Sequence, residues 1–97
     1  MREITPQDLK SHLNDYILVD VREPHEFTGP LGYIEGALLL PLGENLLTYL
    51  DSADPSKNYV FICAAGYRSG LACELAATYG INNVYNLKGG MVEWGQH

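Results

Sequence analysis

Cysteine is scarce in this chain, and so are the long apolar runs that mark exported and membrane-bound proteins. Two cysteines among 97 residues do not make a disulfide framework. No apolar stretch approaches the length of a membrane span, and the N-terminus lacks the apolar core of a signal peptide. These absences predict a cytoplasmic protein that stays in a reducing compartment and does not enter a membrane.

Positive charge is also in short supply. Six Lys and Arg residues lie scattered among twelve Asp and Glu residues, which gives a formal net charge of −6. Nucleic acids and anionic membranes bind proteins through clusters of basic side chains, so neither is an expected partner. The three histidines, His12, His25 and His97, show no metal-ligand spacing, so no metal site is expected either.

The residues that are present are typical of one small globular domain covering 1–97. Hydrophobic residues make up 46% of the chain, enough for a single core. Apolar runs predict strands at 16–20, 36–41, 59–62 and 84–87. Capping residues and helical spacing predict helices at about 6–13 and 44–50, another that ends at Gly80, and helical turns after Pro24 and at 91–94. This alternation predicts an α/β fold with a mainly parallel central sheet and helices on both faces.

The chain is organised around the stretch from residue 59 to residue 80. Its apolar strand ends directly before Cys63, and small residues at 64–66 let several backbone N–H groups converge on one point. The following helix directs the positive end of its dipole to the same place, and Ser69 is predicted to cap that helix. Amides and dipole both favour an anion, so the pattern predicts a thiolate at Cys63.

Two interpretations of Cys63 compete. A lone cysteine after an apolar strand is more often an inert, small hydrophobic residue. Cys63, however, lies at the carboxyl end of a strand, where open α/β sheets place their ligands, and this position favours a functional cysteine. Cys73 lies further along the predicted helix within a run of alanines and leucines. It is expected to be a buried, inert thiol too distant from Cys63 for a disulfide.

Four segments, in order, resemble the motifs of rhodanese domains. These are residues 20–27 (DVREPHEF), 32–37 (GYIEGA), 63–69 (CAAGYRS) and 87–94 (LKGGMVEW). The third is similar to the CxxGxRS active-site loop of that family, and the fourth to its closing LxGGxxxW. The ordered set covers nearly the whole chain, so the resemblance is far more specific than any one motif.

The sequence departs from the family pattern in three places. Tyr33 stands where the family often has histidine, and Glu35 where it often has proline. Both lie outside the reactive loop, so they affect local geometry more than chemistry. The chain also stops soon after Trp94, where many members continue, and we expect a trimmed C-terminus.

The resemblance implies a single-domain sulfurtransferase of the thiosulfate:cyanide type. Cys63 would carry a sulfane sulfur as a persulfide, taken from thiosulfate or from a persulfide-bearing protein and passed to a thiol or to cyanide. The substrate-binding loop would consist of Ala64, Ala65, Gly66, Tyr67, Arg68 and Ser69. Its amides would hold the thiolate and the persulfide anion, and the chemistry requires no metal or organic cofactor.

Two other functions compete with this one. Cysteine-dependent phosphatases also use a loop with a cysteine and an arginine, but four residues separate Cys63 from Arg68, one fewer than in those loops. The tighter ring suits a single sulfur atom better than a phosphate. The second alternative is a catalytically weak rhodanese-like module that binds or regulates. The presence of Cys63 argues against it, because degenerate copies commonly lose that residue.

Three charged residues near the predicted site have alternative roles. Asp20 is either catalytic or, as we favour, structural, in which case it accepts a hydrogen bond from the loop or pairs with an arginine. Arg22 either contacts substrate or pairs with Glu23 or Glu26. Arg68 is expected to brace the loop by pairing with Asp20, Glu23 or Glu26.

Three aromatic residues complete the predictions. Tyr67 either faces solvent at the rim of the site or belongs to the surface that docks the sulfur donor. Tyr85 and Trp94 are predicted to lie in the core.

Overall fold

Strands and helices alternate along the chain in the computed structural model, which describes residues 2–96. The two ends of the predicted domain 1–97, Met1 and His97, lie outside the described residues. In chain order the elements are β1 (Arg2–Ile4), α1 (Pro6–Ser11), a 3₁₀ turn (Leu13–Asp15), β2 (Ile17–Asp20), α2 (Pro24–Phe27), β3 (Leu38–Leu39), α3 (Glu44–Ser52), β4 (Tyr59–Ile62), α4 (Tyr67–Thr78), β5 (Val84–Leu87) and α5 (Gly90–Trp94).

The strands form one parallel sheet with the order β1-β5-β4-β2-β3. Strand β4 lies in the middle and is buried along its whole length, as its apolar sequence predicts. It pairs with β2 through Val19 and Phe61 and with β5 through Phe61 and Asn86. Because all neighbours are parallel, their carboxyl ends meet at one edge of the sheet, and the segment after β4 emerges at the centre of that edge.

Alternate side chains of β4 enter two separate cores. Tyr59 and Phe61 pack with apolar residues of α3 and α4 on one face of the sheet. Val60 and Ile62 pack with residues of α1 and α5 on the other face. The predicted α/β fold with helices on both faces is therefore confirmed. None of the helices within residues 2–96 is long and apolar enough to cross a membrane.

Several local predictions were wrong. Strand β1 was not predicted, because its three residues are mostly polar and exposed. Strand β3 is a two-residue edge strand with Leu38 exposed, rather than a buried strand at 36–41. Helix α1 ends at Ser11, and the chain tightens into a separate 3₁₀ turn at Leu13–Asp15.

Helix α4 ends where the sequence predicts but buries small residues. Its last helical residue is Thr78, and Gly80 follows with a φ of 79°, the left-handed conformation that glycine adopts easily. The buried side consists of Ser69, Gly70, Ala72, Cys73 and Ala76. The helix therefore lies close to the sheet.

Tyr85 and Trp94 were predicted to lie in the core. Both are only partly buried and pack at the edge of the second core.

Candidate active site

Cys63 directly follows β4, at the centre of the carboxyl edge of the sheet. The three residues after it form a tight turn that ends at Gly66, whose φ of 102° is available to glycine at little cost. Helix α4 begins at the next residue, so its N-terminus faces back towards Cys63. The residue is 1% exposed and belongs to the first core, and amides of its own loop donate to its sulfur.

Three hydrogen-bonding groups lie within reach of the Cys63 sulfur. The amides of Gly66 and Ser69 donate to Sγ at 3.1 and 3.3 Å, and Ser69 Oγ lies 3.1 Å from it. Burial alone would raise the pKa of the Cys63 thiol, but the Ser69 hydroxyl and the amides of Ser69, Gly66 and Ala65 outweigh burial and lower the pKa below its ordinary value. The site is therefore built to stabilise a sulfur anion.

Helix α5 binds the backbone of the cysteine loop through hydrogen bonds. The amides of Met91 and Val92 donate to the carbonyls of Cys63 and Ala64 at 2.9 and 3.0 Å. Gly90 makes this approach possible, because a Cβ atom there would lie 2.4 Å from the Cys63 carbonyl oxygen. With these carbonyls bound to α5, the loop's amides remain available to the sulfur.

Ser69 does not cap helix α4, so that prediction was wrong. The N-cap is Gly66, and Ser69 lies inside the first turn, fully buried. Its hydroxyl lies between Cys63 Sγ and Asn86 Oδ1, to which it donates a hydrogen bond. A cap must stand outside the helix, and here the left-handed glycine already turns the chain into it.

Asn86 is a site residue that the sequence predictions missed. It lies on β5 beside β4, 4% exposed, and its Nδ2 donates to the Gly66 carbonyl at 2.9 Å. The signal in the sequence is a polar residue within an otherwise apolar strand, near that strand's carboxyl end. A buried amide at such a position needs partners, and the loop supplies them.

Arg68 pairs with Glu26, one of the three acids predicted for it. The guanidinium donates two hydrogen bonds to the carboxylate, at 2.7 and 2.8 Å. These bonds, together with one from the Glu23 amide, lower the pKa of Glu26 to about 2. The pair joins α4 to α2, and it leaves the guanidinium directed at a carboxylate rather than at the Cys63 sulfur.

Arg22 pairs with Asp20, so neither of the two roles considered for it, contact with substrate or a pair with Glu23 or Glu26, is the one observed. Both side chains are fully buried, with Nη2 of Arg22 2.8 Å from Oδ2 of Asp20. The same nitrogen donates to the carbonyl of Gly32, and Nη1 donates to the carbonyl of Glu26. Arg22 therefore has no exposed surface for a substrate. Asp20 therefore pairs with an arginine, one of the structural roles that we favour for it, and that arginine binds a carbonyl of α2 and the carbonyl of Gly32.

The rim of the site is apolar and exposed. Tyr67, the first residue of α4, is 77% exposed, and Ala65 beside it also faces solvent. Tyr33, which departs from the family pattern, stacks on Phe27 with ring centroids 4.4 Å apart. This stacking gives the substituted position a packing role near α2.

The site is a buried cysteine at the carboxyl end of the central parallel strand, with amides and a hydroxyl around its sulfur. It defines the class of α/β proteins with a cysteine loop that stabilises a sulfur anion. The family model for the rhodanese-like domain matches residues 5–97. The chain therefore belongs to the rhodanese-like family.

Relatives and solved structures agree with this membership. The chain is 35% identical to a sulfurtransferase of Allochromatium vinosum over 101 residues, covering 100% of this chain and 91% of that protein. It is 34% identical to the thiosulfate sulfurtransferase GlpE of Shewanella oneidensis over 77 residues, covering 79% and 73%. A rhodanese-like domain protein from Staphylococcus aureus superposes with a TM-score of 0.86 at 35% identity, covering 98% of this chain and 92% of that one.

Proposed function

We propose that this chain is a sulfurtransferase that carries sulfane sulfur as a persulfide on Cys63. The observation that carries the proposal is the arrangement around the sulfur, with two amides and one hydroxyl within 3.3 Å of Sγ. Such donors stabilise a thiolate, which is the nucleophile that the reaction needs. The relatives named sulfurtransferases support the same reaction class.

The first half-reaction loads the cysteine. The Cys63 thiolate attacks the outer sulfur of thiosulfate, a new S–S bond forms, and the bond between the two donor sulfurs breaks. Its electron pair leaves with sulfite. A donor persulfide reacts in the same way and leaves as a thiolate. The loop amides from Ala64 to Ser69 then hold the persulfide anion, and no cofactor takes part.

The second half-reaction removes the outer sulfur from the Cys63 persulfide. An acceptor, either a thiolate or cyanide, attacks the terminal sulfur, and Cys63 Sγ departs with the electron pair of the broken bond. The same donors that lower the pKa of Cys63 also make it a better leaving group. One loop therefore serves both half-reactions.

The proposal includes donors, acceptors and setting. We infer small sulfur donors such as thiosulfate, or a partner protein that bears a persulfide, and thiol acceptors. We infer a reducing, cytoplasmic compartment, because Cys63 and Cys73 are both free and a reactive unpaired thiol is maintained under such conditions.

Intact-mass spectrometry after treatment with thiosulfate tests the proposal. We expect the mass of one added sulfur atom on the native protein and on Cys73→Ser, and none on Cys63→Ser. Cyanide should then remove the added sulfur as thiocyanate. A native protein that takes no sulfur from thiosulfate or from an organic persulfide would instead be a rhodanese-like module that binds or regulates without turnover.

A further inference from the structure

The hydroxyl of Ser69 has two acceptors and one hydrogen. Its Oγ donates to Asn86 Oδ1 and also lies 3.1 Å from Cys63 Sγ. With a neutral thiol both contacts are satisfied, because the S–H donates to Ser69 Oγ and the hydroxyl donates to Asn86. With a thiolate the sulfur carries no hydrogen, and the hydroxyl serves the sulfur only by turning away from Asn86.

The orientation of the Asn86 amide is fixed by its second partner. Nδ2 donates to the carbonyl of Gly66 at 2.9 Å, and a carbonyl accepts only from the NH₂ side of the amide. Oδ1 therefore faces Ser69. Ser69 and Asn86 are 0% and 4% exposed, which makes a competing hydrogen bond from bulk water to either group unfavourable.

We propose that Asn86 is a positioning residue that withdraws the Ser69 hydroxyl from the Cys63 sulfur whenever that sulfur carries no charge. The hydroxyl donates to Sγ in the thiolate and to Asn86 Oδ1 in the thiol. The Ser69 hydrogen stays on Oγ and only rotates about the Cβ–Oγ bond, while the proton that distinguishes thiol from thiolate is lost from Cys63 Sγ to solvent or regained there. Asn86 thereby acts on Cys63 through Ser69, without touching the reacting atoms.

The inference extends to the loaded enzyme, and that extension rests on the proposed function. In the persulfide, Cys63 Sγ is bonded to carbon and to the outer sulfur, and the negative charge lies on the outer sulfur. Sγ is then a weak acceptor, so the hydroxyl returns to Asn86. Asn86 thus stabilises the loaded cysteine relative to the free thiolate.

The charged groups around the loop do not take part in this exchange. From α4, Arg68 faces the loop, but its guanidinium is paired with Glu26 of α2. From the end of β2, Asp20 and Arg22 form a buried pair with each other. Helix α5 contacts the loop through the backbone amides of Met91 and Val92. Substitution of Asn86 leaves all of these charges in place.

Alkylation kinetics of Cys63 in a double-mutant cycle test the proposal on the unloaded protein, in a Cys73→Ser background. The rate with iodoacetamide is measured as a function of pH for four proteins. They carry either Asn86 or Asn86→Leu, which removes the acceptor, and each is combined with either Ser69 or Ser69→Ala. We expect Asn86→Leu to raise the rate about two- to tenfold at a pH below the pKa of Cys63, the effect of one hydrogen bond. In the Ser69→Ala background the gain should vanish. Equal effects in both backgrounds would overturn the proposal.

Two further variants keep the test independent of folding and of loop damage. Asn86→Asp keeps the shape and accepts the hydroxyl more strongly, so it should slow alkylation more with Ser69 present than with Ser69→Ala. Ser69→Thr retains the hydroxyl and should restore the gain that Asn86→Leu gives. If Asn86→Leu unfolds, an Asn86→Asp effect that is the same in both backgrounds would equally refute the coupling.

The loaded state is tested by intact mass at a fixed ratio of thiosulfate to sulfite. Asn86→Leu should lower the fraction of Cys63 that carries sulfur, and an unchanged or larger fraction would contradict the extension. If the native protein takes no sulfur at all, the proposed function fails, whereas the alkylation cycle still decides the role of Asn86.

Discussion

The two cysteines carry the same side chain in opposite environments. Hydrogen bonds around Cys63 outweigh the effect of burial and lower its pKa. Burial among apolar residues of α4 raises the pKa of Cys73 to about 12. At neutral pH, Cys73 is therefore almost entirely a thiol, whereas Cys63 has the larger thiolate fraction.

Alkylation of the native protein should distinguish the two residues. Between pH 6 and 9, iodoacetamide should label Cys63 at least about tenfold faster than Cys73, because only the thiolate reacts, and the pKa is lowered at Cys63 but raised at Cys73. Peptide mass spectrometry gives the two rates, and unfolding in guanidinium should make them similar. Equal rates in the folded protein would show that Cys73 is accessible and not an inert core thiol.

The ion pair between Arg68 and Glu26 links stability to pH. The pKa of Glu26 is lowered to about 2 in the folded protein, from an ordinary value of 4.5. A lowered carboxyl pKa contributes stability that is fully present above the ordinary value and is lost as the pH falls towards the folded value. The contribution should therefore disappear between about pH 5 and pH 2.

Replacing Arg68 should affect both stability and activity if it braces the loop. We expect Arg68→Ala to cost about 0.5–1 kcal/mol, a few degrees of melting temperature near pH 7, and to flatten the dependence of stability on pH below 5. Sulfur transfer should fall as well. Glu26→Gln should show the same pattern, and Glu74→Gln, an exposed acid on α4, should not. A loss of donor binding with unchanged stability would exclude the bracing role.

Among the elements, α5 positions the cysteine loop through its backbone. Its N-terminal turn passes directly beneath Cys63 and Ala64, and Gly90 is the point of closest approach. A Cβ atom at Gly90 would meet backbone atoms of both loop residues at 2.4–2.6 Å, and backbone atoms cannot move aside as a flexible side chain does.

Gly90→Ala should therefore displace the loop, and Gly80→Ala is the matched control. Both glycines have positive φ values, 59° and 79°, so both substitutions carry a conformational cost of about 1–2 kcal/mol. A Cβ at Gly80 meets nothing within 4 Å. Gly90→Ala should lose at least about 1 kcal/mol more in unfolding titrations, together with most of the sulfur transfer and the enhanced reactivity of Cys63. Equal losses would show that α5 does not hold the loop.

The sequence predicts those elements in which local pattern and tertiary packing agree. Strand β4 follows from an apolar run, and the turn after it follows from the glycine at its end, Gly66. Strand β1 has three residues and no pattern of its own, and it exists because β5 offers it an edge. The role of Asn86, like the existence of β1, cannot be predicted locally, because it depends on a loop twenty residues away in sequence.

The partner of Arg22 shows why contacts are harder to predict than elements. Proximity in sequence suggested Glu23, the N-cap of α2, or Glu26 within α2, but Asp20 is only two residues away, so distance along the chain does not select the partner. In the structure Arg22 pairs with Asp20 at the end of β2, and both side chains are fully buried. An isolated buried charge would be very costly, so burial itself selects the partner. Burial of this kind is set by the whole fold, and no local pattern reveals it.

At the scale of the whole molecule, we expect charge to influence which sulfur donors reach the site. The chain has a net charge of −6. Between Cys63 and Ser69 the sequence carries one charged side chain, Arg68, and its charge is paired with Glu26. The mouth thus offers amide dipoles and an exposed tyrosine, Tyr67. This surface suits a donor of low charge, such as a persulfide on a protein, better than a small dianion.

Thiosulfate should therefore be a working but weakly bound donor, and a cation at the rim should improve its capture. We expect Tyr67→Lys to lower the KM for thiosulfate about two- to fivefold with little change in kcat, because the added charge attracts the dianion before the reaction begins. The gain should shrink as salt is added. Steady-state kinetics with cyanide as acceptor, at two ionic strengths, measure both effects.

Two controls separate charge at the mouth from the loss of the tyrosine ring and from net charge. Tyr67→Gln removes the ring without adding charge and should leave the KM for thiosulfate unimproved. Tyr79→Lys changes the net charge equally, but Tyr79 follows the last residue of α4. Twelve helical residues place it about 18 Å from the loop, beyond a Debye length of about 10 Å. A native protein that already binds thiosulfate tightly, or equal gains from Tyr67→Lys and Tyr79→Lys, would show that donor preference is not set by charge at the mouth.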